Sequence, residues 1–99
     1  MIEDQKIYVW VPDLKYRGRL IGPEGQNIST LEYITRTDIY VRDDHWVIVN
    51  GVENSDLKLA AHIIWVLFKS GLINPLRIIK LADEYSKQKN GVGLFERFY

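Results

Sequence analysis

Cysteine is absent from this 99-residue chain, and methionine occurs once, at its start. No disulfide framework and no thiolate metal site can hold the fold together, so an apolar core and hydrogen bonds must supply its stability. Neither sign of charge is in excess, because thirteen basic residues balance thirteen acidic ones. The strong positive field that draws proteins onto nucleic-acid backbones is therefore missing, and any anionic partner must be gripped locally. No window approaches the roughly 18 consecutive apolar residues of a membrane span. The opening Met1, Ile2, Glu3 and Asp4 lack the basic-then-apolar order of a secretory signal. The expectation is a cytoplasmic protein without membrane contact. Histidine is scarce too: His45 and His62 belong to no His-Asp pair and no two-histidine metal spacing. Metal-assisted hydrolysis is not supported, no catalytic residue is assigned and no cofactor is expected. His45, beside Asp44, reads as a turn residue rather than a base.

What is present is an ordinary globular composition, 46% hydrophobic and 26% charged, which predicts one domain over residues 5–88 and a tail over 89–99. Ile7, Val9 and Val11 alternate with Tyr8 and Trp10, the period of a half-buried strand closed by Pro12. Leu14 to Ile21 predicts a helix of barely two turns, cut by Gly22 and Pro23. A second helix after Gly25 carries Ile28, Leu31 and Ile34 and ends near Arg36. Asp38 to Arg42 and His45 to Asn50 read as strands of a hairpin turning at Asp43-Asp44. Ser55 is the expected cap of a helix opened by Asp56, with Leu57, Ala60, Ala61, Ile64, Leu67 and Phe68 on one face and Gly71 at its end. Asn74-Pro75 starts a last helix, with Leu76, Ile79 and Ala82 on one side, fraying near Gln88. The tail holds Gly91 and Gly93, then Leu94, Phe95, Phe98 and Tyr99, and reads as a tether with a sticky end.

Between the two short helices the sequence runs GRLIGPEGQNI, with Gly22 and Gly25 bounding a four-residue turn. Glycines let a backbone approach a phosphate closely, and the start of a helix directs unpaired N–H groups at an anion. The same glycines also suit a plain tight elbow between helices, and spacing alone leaves both readings open. The string resembles the signature of the K-homology (KH) family, a GxxG loop followed by an apolar residue three positions on. RGRLIGPEGQNISTLEYITRTDI, VIVNG and GLINPLRI are similar to the KH segment of ribonuclease Y, across roughly Val11 to Tyr85. The resemblance implies an α+β, type I KH-like fold. Its order is strand-helix-helix-strand-strand-helix, a three-stranded antiparallel sheet against three helices, here with an extra C-terminal helix.

The resemblance also implies non-catalytic binding of single-stranded RNA or DNA in a groove for about four nucleotides. The nuclease part of ribonuclease Y would follow the KH segment. Carried onto these positions, Gly22, Pro23, Glu24 and Gly25 form the clamp, continued by Gln26 and Asn27. Ile21, Ile28 and Val41 form the apolar floor, and Arg19 and Arg42 reach phosphate or base edges. Ile28 and Val41 would equally be core residues in any fold of this pattern. Pro23 stands where ribonuclease Y relatives carry a basic residue and has no N–H to give. Glu24, Asp43 and Asp44 place negative charge beside the expected phosphate path. Lys15 and Arg17, just before the loop, are the expected basic anchor.

Side chains alternate across strands, so Tyr8, Trp10, Tyr40, Trp46 and Ile48 should share the sheet face turned away from the helices. An apolar patch of that size marks a contact site. A competing function follows, a KH-derived interaction module whose outer face meets the tail, a second copy of the chain or another protein.

Overall fold

The alternating segment folds as a strand because one set of its side chains has a core to enter. In the computed structural model, which describes residues 4–86, this is β1 (Gln5–Trp10). Val9 is buried and Ile7 half-buried, whereas Tyr8 and Trp10 are exposed. Pairing runs out before Pro12, the Val11 N–H still donating to the His45 carbonyl at 2.7 Å. Next come α1 (Lys15–Ile21), a single 3-10 turn at Pro23–Gly25, and α2 (Gln26–Thr35). α2 ends at Arg36 in a left-handed conformation with φ 57°, its N–H returning to the Glu32 carbonyl. β2 (Asp38–Val41), β3 (Trp46–Gly51), α3 (Asn54–Ser70) and α4 (Pro75–Ser86) complete the described chain.

The sheet is antiparallel throughout, in the order β1-β3-β2. The molecule is thus α+β, with the type I KH-like order of elements and an additional helix after it. Val9, Val11, Ile39, Val47 and Val49 share one core with the apolar face of α3, where Leu57, Ala60, Ala61, Ile64, Leu67 and Phe68 are all buried as their spacing predicted. Ile63 and His62 are buried as well, because α4 packs along a second flank of α3. Gly71 caps α3 with φ 75°, its N–H donating to the Leu67 carbonyl at 2.9 Å. Asn74 caps α4 through its side chain, Oδ1 accepting the Arg77 N–H at 2.9 Å.

The hairpin is wider than an Asp43-Asp44 turn: β2 ends at Val41 and β3 starts at Trp46, so Arg42 and His45 belong to the loop. A tight two-residue hairpin turn favours positive φ at both central positions, and neither aspartate has it. Asp44 Oδ1 instead accepts the Trp46 N–H at 3.1 Å, a side-chain turn that needs the wider loop. Ser55 does not cap α3. The helix starts earlier, at Asn54, and the carbonyl of extended Glu53 takes the Asp56 and Leu57 N–H groups.

α4 buries Ile78, Leu81 and Ala82, leaving Leu76 74% exposed and Ile79 also in solvent. Two apolar stripes compete in this helix. The one through Ile78, Leu81 and Ala82 continues to half-buried Tyr85, while the one through Leu76 and Ile79 runs into Lys80 and Asp83. Burying the first strands no charge. The fraying expected near Gln88 and the tail over 89–99 lie outside the described residues.

Candidate nucleic-acid interface

The Gly22 to Gly25 loop is built from backbone. Gly22 has φ 76° with an extended ψ of 172°, and Glu24 (φ 55°) and Gly25 (φ 71°) are left-handed, so the chain turns through three residues of positive φ. The Gly25 N–H donates to the Gly22 carbonyl at 3.1 Å, and the Gln26 N–H to the Pro23 carbonyl. The two glycines do different work. A Cβ on Gly22 would lie 2.7 Å from Asn27 Nδ2, whereas one on Gly25 would meet nothing within 4 Å. Gly22 is thus closed over by its own chain, and Gly25 faces open space at the start of α2. No side chain caps that start, and its first turn holds no acidic residue, which leaves the positive end of α2 open to an anion.

Asn27 is buried and points inward. Its Nδ2 donates to the Arg19 carbonyl at 2.8 Å, tying the start of α2 to the last turn of α1. It shapes the loop rather than facing outward. Pro23, Glu24 and Gln26 are exposed. Of the floor residues, Ile21 is exposed, while Ile28 and Val41 are half-buried against the core, so each spans core and solvent.

The cations are less free than their positions in the sequence imply. Arg17 Nε donates to the Arg42 carbonyl at 2.7 Å, and its guanidinium reaches Asp43 at 3.2 Å. Arg17 therefore ties α1 to the β2–β3 loop. Lys15 lies 3.8 Å from Asp13, and Arg42 pairs with Asp44 at 2.8 Å. Arg19 forms no ion pair among the described residues, its guanidinium lying 5.7 Å from the centre of the Tyr16 ring. The cation next to the loop and uncommitted to a carboxylate is Arg19.

Compared with known proteins, the chain is 36% identical over 77 residues to ribonuclease Y of Streptococcus agalactiae serotype III, a match covering 77% of this chain and 14% of that protein. The chain is a relative of one segment of ribonuclease Y. Ribonuclease Y of Listeria monocytogenes serotype 1/2a is 35% identical over 81 residues, 81% of this chain and 16% of that protein. That of Latilactobacillus sakei is 33% identical over 81 residues. The chain spans about a seventh of the length of the first of these. No family model and no solved structure matches the chain. Among the described residues, no cluster of histidine and carboxylate side chains like those that hold metal ions is present, and no helix is long and apolar enough to cross a membrane.

The predicted outer face is assembled as its alternation implies, with Tyr8, Trp10, Tyr40 and Trp46 exposed by 52%, 53%, 62% and 36% and Ile48 half-buried. Trp10 stacks on His45 at 4.7 Å, and Trp46 meets both Tyr8 and Trp10 edge-on. His45 is held in turn by its Nδ1, 2.7 Å from the Val11 carbonyl. At the β1 edge this face runs into a cavity of about 370 Å³, to which α3 adds Trp65, Phe68 and Lys69. Helical spacing places those three on one side of α3. That this side closes on the sheet edge is a tertiary fact which no local pattern in the sequence announces.

Proposed function

We propose that the chain binds single-stranded RNA, or DNA, without cutting it, and that the loop from Gly22 to Gly25 receives the backbone phosphates. The observation that carries this reading is the open start of α2, where Gly25 faces unobstructed space beside an uncapped helix end. Relationship to a segment of a protein named ribonuclease Y supports nucleic acid as the ligand. The positions of the histidines support binding without catalysis: His45 is engaged with Trp10 and Val11, and His62 is buried where α3 meets α4. In this reading Arg19 supplies the positive charge, and Arg17 holds the wall of the groove.

Titration of the full chain with short single-stranded RNAs tests it. Binding is expected at low salt, where the phosphate term is strongest, and flat curves there overturn the proposal. Arg19→Glu should weaken binding about tenfold, the scale of one phosphate contact converted to repulsion. Glu24→Lys should strengthen it. Arg17→Glu should lower the thermal midpoint, because it breaks the tie between α1 and the hairpin loop.

A second reading is an interaction module working through the outer sheet face. Half-exposed aromatic side chains gathered on one side of the sheet favour it.

A further inference from the structure

The outer sheet face has an internal symmetry that names its partner. Strand register sorts its side chains into three rows across β1, β3 and β2. Lys6, Asn50 and Asp38 form one row, and Tyr8, Ile48 and Tyr40 the next. The third holds Trp10 and Trp46, then Arg42, whose N–H donates to the Trp46 carbonyl. β3 is the central strand. Turning a second sheet over about an axis along β3 exchanges the β1 side with the β2 side and leaves the rows in register. Lys6 then lies opposite Asp38 of the second copy, Tyr8 opposite its Tyr40, and Trp10 opposite its Arg42, while Ile48 and Trp46 meet themselves. Each row is complementary to itself: an ion pair, an aromatic and aliphatic layer, and an indole, stacked on one side by His45, against an arginine that keeps its Asp44 partner.

We infer that this face is the two-fold interface of a homodimer, packed sheet on sheet about the axis of β3. The inference deepens the second reading above and does not depend on RNA binding. Lys6 and Asp38 are exposed and form no ion pair with other described residues, so each is available to the other copy. Four aromatics roughly half exposed present about 400 Å². With their neighbours in the rows, two faces bury roughly 1,200 Å², the lower end for a specific interface. Aligned sheets pack about 10 Å apart with strands within about 30° of each other, which keeps the corner charges within reach. The edges of the sheet are poorer sites. On β2 the Ile39 N–H is already taken by Glu32 Oε2 at 2.7 Å, and on β1 the edge opens on the cavity that Trp65, Phe68 and Lys69 of α3 help to line.

Sedimentation equilibrium on the full chain tests the inference. The wild type should self-associate to a dimer and no further, since a two-fold contact uses each face once. Lys6→Asp or Asp38→Lys alone puts like charges at both corners and should weaken the dimer about tenfold. Combining the two substitutions restores opposite charges and should bring the dissociation constant back towards wild type. Ile48→Lys, on a half-buried position the fold tolerates, sets two ammonium groups against each other on the axis and should abolish the dimer; circular dichroism checks that the chain stays folded. A wild-type chain monomeric up to millimolar concentration overturns the inference, as does a dimer indifferent to Ile48→Lys. A charge swap that fails to restore what the single substitutions lost overturns the geometry. Should the chain be monomeric and Ile48→Lys abolish RNA binding, the face belongs to nucleic acid and the dimer is excluded. Flat RNA titrations with an intact dimer leave the inference standing and remove the RNA reading alone.

Discussion

At the scale of single residues, the loop separates two glycines that look equivalent in sequence. Both have positive φ, but Gly25 lies in the left-handed region, where an L side chain costs about 1 kcal/mol, whereas Gly22 has ψ 172°, a region essentially reserved for glycine, and Asn27 folded against it. Gly22→Ala should therefore destabilise the chain by about 2–3 kcal/mol, strain adding to a steric clash, and Gly25→Ala by only about 1 kcal/mol. Urea denaturation of the two variants measures the difference. Arg36 is the opposite case, a long side chain at a left-handed helix end. Arg36→Gly should raise stability by about 1 kcal/mol in the same assay. The positive φ values at Gly22, Gly25 and Gly71 were foreseeable from residue type, since glycine is the usual occupant of such positions. The inward turn of Asn27 was not, because an asparagine after a glycine loop reads as a ligand contact until its amide is seen bonded to Arg19.

At the scale of elements, local periodicity located each α-helix and strand among the described residues and misjudged a few of their ends. α3 came out as its spacing required because it presents one unambiguous apolar face. α4 did not, because Ile78–Leu81–Ala82 and Leu76–Ile79 are both plausible stripes and packing against α2 and α3 selects between them. The join of α3 and α4 also holds His62, buried beside Tyr85 with ring centres 4.5 Å apart. Burial pushes its pKa below the ordinary 6.5. The unfolded chain then binds the proton more tightly than the folded one, so His62 lowers stability as pH falls below 6.5 towards the folded-state pKa. Stability against urea should drop between about pH 6.5 and 5, before the carboxylates titrate. His62→Phe, which keeps the ring and removes the ionisation, should flatten the fall over that window.

At the scale of the whole molecule, charge balance limits any nucleic-acid binding. Thirteen positive and thirteen negative side chains give no net field, and Lys15, Arg17 and Arg42 each lie beside an aspartate. If Arg19 and the α2 start are the main phosphate contacts, few counterions are released. The slope of log binding constant against log salt for single-stranded RNA should then be shallower than about −2. Titrations at three salt concentrations measure it, and a steep slope would mean that cations outside the loop take part.

The amino-acid sequence by itself determined the order of the elements, the position of the glycine loop and the composition of the outer face, while the class of the fold was legible through the resemblance to the KH family. The first three follow from period, turn chemistry and residue type, which act over a few neighbouring residues. The tertiary structure decided which cations are spent on aspartates, which glycine is sterically required, which stripe of α4 is buried, and how the side chains of the outer face line up in rows across the strands. Those outcomes depend on contacts between residues far apart in the chain, such as Arg17 with Arg42 and Tyr8 with Ile48. No local pattern encodes them, because several packings satisfy the same periodicity and only the fit between whole elements chooses one.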